Sequence, residues 1–539
     1  MNAPRWLTVW RDQLRDRWYL LLPVALVVIG VVIPLVYLLI RAFQADPDEL
    51  ARLVLRMRNL ELLWNTLTLT VGVLGGTAML AFPLAWLTTR TDLPGRRWLT
   101  WLGVLPLAIP GYVMAYALLG ATGSQGVLSE IIGVAPDRLS GYTGAWVALS
   151  LGTFPYLFLN LRTTLLDLDP ALEESAQALG YPRWRIFWEV VLPQLRPAFL
   201  AGGLLVGLHV IGDFGVVSLM RFETFSYALY LQYTASYDRI YAAWLAIMLL
   251  ILTIAILFLE ARLLKGLLYH RTGTGARRQA AAVRLGPWRL PSYLFVGSVG
   301  LASVVLPVAT IAYWMGTATQ VGVPWSGLGS ALWDSVSASA PAAVLAAMLA
   351  LPVAYLGVRL PSRITSGLER IAYLGYATPP LAFALALIVF SLQIMPFAYQ
   401  TLGLLIVAYA LHFMAEAIGP IRSSLYQAPP NLEEAARSLG RTPLQAFVSV
   451  TLPLLKNGIV VSIAFVFLSA MKELPITFLI SPMGFNTLAV RVWGYANEAM
   501  LATAAPYALA IMIFSGAFVG LLLVREKSKR NQTHAESMA

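Results

Sequence analysis

The sequence predicts an all-α polytopic membrane protein with about twelve transmembrane helices, arranged as two parallel six-helix repeats. Hydrophobic residues make up 58% of the 539 residues and charged residues only 12%, whereas a typical soluble domain is about a quarter charged. Apolar stretches long enough to cross a bilayer recur along the whole chain. Backbone groups in lipid stay paired only if such stretches are helical. A polar segment of the first half also recurs in the second half at a constant spacing.

Twelve apolar stretches of roughly 20 residues account for the predicted membrane helices. The first follows four arginines near the N-terminus, but it is too long for a signal peptide and lacks a cleavage pattern of small residues. We therefore expect it to be retained as a helix. The predicted spans are 19–41, 63–89, 98–121, 143–161, 198–220, 240–261, 292–315, 333–357, 371–395, 401–420, 457–480 and 503–524.

The net charge of +11 predicts the orientation of the chain rather than a nucleic-acid partner. If the N-terminus is cytoplasmic, alternate connections between the spans hold 29 of the 38 lysines and arginines. Cytoplasmic loops of membrane proteins are enriched in Lys and Arg, so this asymmetry fits that orientation. We therefore expect both termini and both copies of the repeated segment on the cytoplasmic side. Cysteine is absent from the sequence, which excludes disulfides and thiolate metal sites.

The repeated segment combines two acids with small residues, a glycine and a Leu-Pro step. Every matched position is 260 residues from its counterpart, and 11 of the 26 compared positions are identical. Two halves in the same orientation form a parallel repeat, related by an axis along the membrane normal. The first copy is Leu172-Glu173-Glu174-Ser175-Ala176 with Gly180 and Leu192-Pro193, and the second is Leu432-Glu433-Glu434-Ala435-Ala436 with Gly440 and Leu452-Pro453.

The repeat divides the chain into two predicted domains. Residues 1–270 form the first half with its loop at 169–197, and residues 291–525 form the second half with its loop at 429–457. Residues 271–290 are polar, basic and rich in Gly and Ala, so we expect a flexible cytoplasmic linker there. Residues 526–539 are predicted to be a cytoplasmic tail.

Each loop has the sequence pattern of two short helices joined by a glycine corner. In the first copy, Asp169 is predicted to cap a helix that Pro170 begins, Gly180 to end that helix, and Pro182 to begin the next one. In the second copy, Asn431, Gly440 and Pro443 are expected to take the same roles. A capped surface loop is the ordinary explanation of such a pattern, but its recurrence at one spacing favours two copies of a docking element.

Both loops resemble the EAA loop of ABC-importer permeases, which reads Glu-Ala-Ala, then Gly, then Ile-x-Leu-Pro. The two copies depart from it conservatively at Ser175, Val190 and Val450. The resemblance implies a type I ABC importer transmembrane fold, in which each loop holds a coupling helix that binds a cytoplasmic ATPase subunit. Glu174 and Glu434 would then contact the ATPase. The coupling residues implied in this way are Glu173, Glu174, Ala176, Gly180, Glu433, Glu434, Ala435, Ala436 and Gly440.

The resemblance also implies which partners the chain has. Two loops imply two copies of the cytoplasmic ATPase, which would bind ATP and Mg because this chain has no Gly-x4-Gly-Lys-Ser/Thr phosphate loop. An extracytoplasmic solute-binding protein would deliver the solute, and the chain would lie in the bacterial cytoplasmic (inner) membrane. The chain itself is expected to be a transport subunit without catalytic residues, cofactor, metal site or nucleic-acid partner.

Several strings further resemble the fused permeases of the ferric-iron importer family, which favours ferric iron as the solute. They are Arg90-Thr-Asp-Leu-Pro-Gly-Arg-Arg, Pro106-Leu-Ala-Ile-Pro-Gly-Tyr, Asp213-Phe-Gly-Val-Val-Ser-Leu and Met471-Lys-Glu-Leu-Pro. Permeases for thiamine and for other small solutes share the same architecture. A different small solute therefore stays an alternative.

Four polar residues inside the predicted spans are candidates for the translocation pathway or gate: His209, Asp213, Lys472 and Glu473. His209 and Asp213 are four residues apart and would share one face of a continuous helix, where a hydrogen-bonded pair is the ordinary interpretation. Asp213 matches Glu473 at the 260-residue spacing. Ionisable residues within a span usually face the protein interior, so these acids are predicted to lie near the pathway. A salt bridge between helices is the alternative.

A proton-coupled secondary transporter of the major facilitator type is the main rival interpretation, because it also has six plus six spans. Asp92-Leu-Pro-Gly95-Arg96-Arg97 resembles that superfamily's motif between spans two and three, but Thr88 replaces its glycine. The second-half equivalent, Arg359-Leu-Pro-Ser-Arg363, lacks the acid. That superfamily also does not place capped, acid-rich loops between spans four and five of each half.

Overall fold

A computed structural model describes residues 20–44, 46–133, 135–234, 238–264, 282–323 and 325–517. Most of these residues are helical. The β-type backbone pairing among the described residues is an isolated parallel bridge between Thr91 and Val283. The predicted all-α fold is therefore confirmed. The predicted linker up to residue 281, and the predicted tail at 526–539, lie outside the described residues.

The helices have the following bounds. The main ones, numbered in chain order, are α1 (Leu21–Ala42), α2 (Met57–Arg90), α3 (Arg96–Val104), α4 (Gly111–Ala121), α5 (Gly141–Asp167), α6 (Pro170–Ala178), α7 (Arg196–Gly212), α8 (Arg239–Leu264), α9 (Arg289–Gly300), α10 (Leu306–Val321), α11 (Ser326–Arg359), α12 (Arg363–Ala377), α13 (Pro380–Ile394), α14 (Leu402–Gln427), α15 (Pro430–Ser438), α16 (Lys456–Met471) and α17 (Leu501–Ala517). Shorter helices are Pro47–Val54, Val127–Ile132, Arg183–Ile186, Gly215–Leu219, Phe225–Thr234, Pro443–Ala446, Pro475–Ile480 and Leu488–Asn497.

Each of the twelve predicted spans overlaps a helix, although some spans are broken. Among the described residues, seven helices are long and apolar enough to cross a membrane, and four bent pairs raise the total to eleven. The shorter apolar helix α17 overlaps the twelfth predicted span. The largest bends are 96° between α3 and α4 and 104° between α12 and α13. Pro110 and Pro379 lie at these two breaks. Proline interrupts a helix because it has no backbone N–H to donate and restricts the conformation of the residue before it.

The chain divides into two compact units that cross the boundary between the sequence halves. The first unit comprises residues 1–53, 232–247 and 326–490, and the second comprises residues 54–231, 248–325 and 491–539. The helices that open the halves, α1 in the first and α9 and α10 in the second, therefore belong to the unit built mainly from the other half. The division at 1–270 and 291–525 describes the sequence repeat, and it stays a prediction for the domains.

The core of the first unit is a bundle of α11, α14 and α16, which pack on one another. Gly458 near the start of α16 permits a close approach to α14, because a Cβ at that position would lie 2.8 Å from the Pro420 carbonyl oxygen. Small residues at helix interfaces allow such close packing within a membrane. In the same unit, α1 packs on α12 and α13.

The core of the second unit repeats this arrangement with α2, α5 and α7. A Cβ added at Gly202 of α7 would lie 3.0 Å from the Leu157 Cα of α5, so this contact also depends on glycine. In the same unit, α10 packs on α4. The helices α5 and α14 occupy equivalent places in the repeat, and each leads directly into one of the two repeated loops. The core bundle therefore fixes where each loop begins.

Candidate functional site

The first repeated loop folds as the predicted helix, glycine corner and second helix. The Asp169 side chain accepts a 3.0 Å hydrogen bond from the Ala171 backbone N–H and caps α6. At the other end, Gly180 has a φ of +83°, and the Tyr181 N–H donates to the Ala176 carbonyl at 3.1 Å. This left-handed helix end favours glycine. Local interactions thus fix α6 at both ends.

The second loop has the same corner but a different start. Gly440 has a φ of +87°, and the Arg441 N–H donates to the Ala436 carbonyl at 3.2 Å. The helix α15 has no side-chain cap at its N-terminus. The prediction that Asn431 caps it is wrong, because Pro430 takes the first helical position and its fixed φ starts the helix before Asn431.

After each corner the chain forms a π-helical turn, which the sequence did not reveal. Phe187–Val191 and Phe447–Thr451 are five-residue π segments at matching positions of the repeat. Pro193 and Pro453 follow them and have no N–H to donate. The chain then bends by 55° in the first copy and by 70° in the second before it enters α7 or α16. Such π turns are frequent at functional sites.

The first acid of each pair points into the protein. The Arg90 guanidinium at the end of α2 donates to the Glu173 carboxylate at 2.8 Å, and the two side chains are 6% and 19% exposed. Glu433 is buried and accepts hydrogen bonds from the Tyr355 hydroxyl at 2.7 Å and the Thr451 hydroxyl at 2.9 Å. Glu173 and Glu433 therefore anchor the loops, and neither lies on the outer surface.

The second acid of each pair faces outward. Glu174 and Glu434 are exposed, as is Ala435. The small residues Ala176 and Ala436 are buried beneath the loop helices. The predicted coupling residues thus separate into an outer set and an inner set, which the sequence motif alone does not distinguish.

Exposed leucines flank the outward acid in both loops. Leu172 and Leu179 are 47% and 78% exposed, and Leu432 and Leu439 are 46% and 86% exposed. Exposed apolar side chains grouped with a charge are typical of surfaces that bind another protein. The repeat contained this signal, since both leucine positions are identical in the two copies, but only the structure shows that these leucines are exposed, as the acid is.

His209 and Asp213 do not lie on one continuous helix. The helix α7 ends at Gly212, and the Asp213 carboxylate accepts a 2.8 Å hydrogen bond from the Val216 N–H. Asp213 therefore caps the short helix Gly215–Leu219. The prediction that His209 and Asp213 share one helix face is wrong, because it assumed a helix that continues past Gly212.

Glu473 has the same role in the second unit. The helix α16 ends at Met471, and the Glu473 carboxylate accepts a 3.0 Å hydrogen bond from the Ile476 N–H. The alignment of Asp213 with Glu473 therefore corresponds to a shared local structure, in which an acid caps the helix that follows a break. Both acids lie where the span is interrupted.

A further acid, Glu416 of α14, interacts electrostatically with Lys472 and was missed in the sequence. It accepts a 2.6 Å hydrogen bond from the Ser469 hydroxyl. Its first-half equivalent at the 260-residue spacing is Tyr156, whose ring centroid lies 6.0 Å from that of His209. Because the repeat has no acid at that position, comparison of the halves could not identify Glu416. In the described part of the chain, no three His, Asp or Glu side chains form a group that could hold a metal ion.

Comparison with known proteins assigns the two halves to one family. Residues 78–268 and residues 339–528 each match the family described as "Binding-protein-dependent transport system inner membrane component". The chain belongs to this family. Each matched region contains one of the two loops, so this permease carries the family's domain twice. It is accordingly a multi-pass inner-membrane subunit of an ABC importer.

Three curated relatives show how far the similarity extends. The "Fe(3+)-transport system permease protein FbpB 2" of Haemophilus influenzae is 33% identical over 513 residues, which cover 94% of this chain and 98% of the relative. The sulfate transport permease CysW of Escherichia coli is 28% identical over 43% of this chain and 81% of its own length. The molybdenum transport permease ModB of Escherichia coli is 30% identical over 28% of this chain and 69% of its own length.

Proposed function

We propose that this permease forms the membrane pathway of an ABC importer for ferric iron. The similarity to the Fe(3+)-transport permease of Haemophilus influenzae carries this proposal, because it extends over 94% of the chain and both halves. The sulfate and molybdenum permeases match 43% and 28% of this chain. A whole-length match supports a shared fused architecture as well as a shared solute.

The two loops are proposed to be the coupling elements of this importer. In each, a short helix that ends at a glycine corner carries an exposed acid, Glu174 or Glu434, with an exposed leucine before it and another after it in the sequence. A rigid helix transmits a displacement to the spans that follow it better than a mobile loop does. Two such surfaces would bind two copies of an ATPase subunit, and ATP and Mg would bind to those subunits.

The orientation and the delivery partner belong to the same proposal. The excess of Lys and Arg in alternate connections supports cytoplasmic termini and cytoplasmic loops. A solute-binding protein would then deliver ferric iron to the opposite face. Within the chain, Asp213 and Glu473 cap helices at breaks in the spans. Such breaks are where a transporter changes shape and where carboxylate oxygens would meet a hard cation in transit.

Uptake by the reconstituted complex tests the proposal. The permease, its ATPase and its binding protein would be placed in proteoliposomes, with ATP on the side of the loops and labelled ferric iron on the binding protein. We expect ATP-dependent accumulation of iron and, by native mass spectrometry, two ATPase copies per permease. Accumulation of labelled sulfate or molybdate instead of iron would contradict the solute assignment. Uptake that needs a proton gradient but no ATP would contradict the proposal that an ATPase drives transport by this complex.

A further inference from the structure

The second unit contains a cavity of about 810 Å³ beside the first loop. Its walls come from the end of α2, from α6, from the segment that follows the glycine corner of the loop, and from residues 282–295, which lead into α9 and form its first turns. Small-molecule sites in proteins commonly have volumes in this range and combine apolar walls with a few polar groups. The cavity is therefore large enough to hold a ligand.

Aromatic rings form the inner wall of this cavity. The Phe82 and Phe187 ring centroids lie 6.0 Å apart, and the Trp86 ring meets the Phe187 ring edge-on at 5.2 Å. Phe295 of α9 also lines the cavity. A wall of this kind favours a hydrocarbon chain, since burial of apolar surface is favourable and the rings offer no charged group.

Two arginines give the cavity an uncompensated positive charge. Arg183 and Arg284 line it and are exposed, and neither makes a hydrogen bond or ion pair with the part of the chain that the structure describes. Glu173 also lines the cavity, but its carboxylate is already bound by the Arg90 guanidinium at 2.8 Å. The guanidinium groups of Arg183 and Arg284 are thus available to an anion, and guanidinium binds phosphate well.

The surroundings of the cavity are typical of the membrane–water interface. Trp184 and Trp288 line it and are 67% and 68% exposed. Leu290 and Leu294 of the adjoining α9 are 67% and 65% exposed. Exposed tryptophans lie at the level of the lipid headgroups, and exposed leucines on a spanning helix face the acyl chains. The cavity therefore opens where a phospholipid could enter.

We propose that this cavity binds an anionic phospholipid from the leaflet on the side of the loops. Arg183 and Arg284 bind the phosphate, and an acyl chain lies along Phe82, Phe187 and Phe295. The lipid would contact the segment that joins α6 to α7, so the lipid composition of the membrane would act on the first loop.

The second loop provides an internal contrast. Pro443 and Leu444 occupy the positions equivalent to Arg183 and Trp184 at the 260-residue spacing. The second loop therefore lacks the basic group and the indole at these positions, and the proposal assigns the lipid site to the first loop alone.

Native mass spectrometry of the full-length permease in detergent tests the proposal. It would be titrated with phosphatidylglycerol and with phosphatidylcholine of the same acyl chains. We expect one phosphatidylglycerol to bind at least tenfold more tightly than phosphatidylcholine. The double variant Arg183→Ala with Arg284→Ala should weaken phosphatidylglycerol binding about twenty-fivefold, since each basic residue near an anionic lipid contributes a factor of about five. The charge-retaining variant Arg183→Lys with Arg284→Lys should keep most of the binding.

Arg185→Ala is the matched control, because Arg185 lies in the same loop but pairs with Glu189 at 2.8 Å and does not line the cavity. It should leave phosphatidylglycerol binding unchanged. Equal binding of the two lipids, or full binding by the double alanine variant, would overturn the proposal. Displacement by millimolar inorganic phosphate would instead identify a free-phosphate site and would also overturn it. None of these readouts uses transport, so the result is independent of the solute proposed above.

Discussion

The two loops place an inward acid at the same position, but its hydrogen-bond donors differ between the loops. In the first loop, Glu173 pairs with the charged Arg90. In the second, Glu433 accepts from the hydroxyls of Tyr355 and Thr451. In the spans before the loops the repeat has a spacing of 269 residues, and at that spacing Arg359 is the equivalent of Arg90. Arg359 donates instead to the Ala428 carbonyl at 2.7 Å. The repeat therefore preserves an inward acid while its partner changes from a cation to two neutral donors.

The change of partner has a physical cause in two neighbouring positions. Trp86 corresponds to Tyr355 at the 269-residue spacing of the earlier spans, and Val191 corresponds to Thr451 at the 260-residue spacing of the loops. The valine side chain has no donor, and the Trp86 indole N–H makes no hydrogen bond to Glu173 in the described part of the chain, so Arg90 is the partner of this acid. Where both hydroxyls are present, the acid no longer needs a cation. The comparison shows that both loops expose the same outward acid, whereas the inward acid has different hydrogen-bond partners in each half.

The largest expected effect comes from the outer face, where the two loops are alike. Reversing both outward charges with Glu174→Lys and Glu434→Lys should lower ATP-dependent uptake at least about tenfold, because like charges placed across an interface cost several kcal/mol. Both acids are exposed, so folding should be retained. Uptake by proteoliposomes and co-purification of the ATPase measure the effect.

The single variants sharpen this comparison, since equivalent loops should give equal losses. Glu61→Lys is the control, because Glu61 is an exposed acid at the other end of α2 from the loop. Uptake by the double variant at the level of the unmodified permease would refute the coupling role of both loops.

The next largest effect should separate the two inner anchors. Glu173→Gln removes the charge that faces the nearly buried Arg90, so we expect a loss of about 3 kcal/mol in the free energy of unfolding. Glu433→Gln keeps an oxygen acceptor for its two hydroxyl donors, so we expect a loss of about 1 kcal/mol or less. Equilibrium unfolding in mixed detergent micelles measures both values.

The same substitution at the exposed acids supplies the control for the anchors. Glu174→Gln and Glu434→Gln should change the free energy of unfolding by no more than about 0.5 kcal/mol, as is usual for surface positions. If Glu173→Gln and Glu433→Gln destabilised the permease equally, the distinction between a charged and a neutral anchor would be wrong.

The parts of the loops that the sequence predicted are those fixed by local chemistry. Asp169, Gly180 and Gly440 act on backbone groups within a few residues, so their roles follow from the residue types alone. The positions of the twelve apolar spans could also be predicted, since the thickness of the bilayer sets their length. Local rules failed at Asn431, where the preceding proline started the helix earlier.

The anchors and the helix breaks could not be predicted, because they depend on residues that are distant in the sequence or on packing. Arg90 and Glu173 are 83 residues apart, and nothing in either neighbourhood indicates the pair. The break after Gly212 turned Asp213 into a cap and removed the expected helix face shared with His209. The repeat predicted matching positions well, but it could not show that a matched acid has different partners.

A smaller and equal effect is expected at the two glycine corners. Gly180→Ala and Gly440→Ala should each destabilise the permease by about 1 kcal/mol, because a side chain in the left-handed region costs roughly that much. A Cβ at either glycine meets no atom within 4 Å, so no steric clash adds to the backbone cost. Unfolding in mixed micelles measures both.

Gly152→Ala in α5 is the matched control, since its Cβ also meets open space but its backbone is helical. That substitution should be neutral or slightly stabilising. Clearly unequal losses at the two corners would mean that one loop helix is held by contacts beyond its own ends.

The smallest effect concerns a tether that occurs in the first half alone. The Asp92 carboxylate accepts a 2.9 Å hydrogen bond from the Leu285 N–H and a 2.6 Å hydrogen bond from the Arg289 guanidinium. At the 269-residue spacing of the earlier spans, the second half has Pro361 in place of Asp92. The Leu285 N–H and, after it, Arg289 lower the pKa of Asp92 below its ordinary value. Because the folded state favours the ionised acid, this contribution is present above about pH 4 and is lost as the pH falls through the lowered pKa.

Hydrogen exchange of the amides at 283 and 285 measures this tether. After correction for intrinsic exchange, protection should be constant from pH 7 to about pH 5 and should fall below about pH 4. Asp92→Ala should reduce protection at neutral pH by a small factor and remove its acid dependence, because the exposed ion pair contributes little. The amides of α15 in the second half are the internal control. If the Asp92→Ala variant kept the acid dependence at 283 and 285, another titrating group would be its source, and the role of Asp92 in this tether would be refuted.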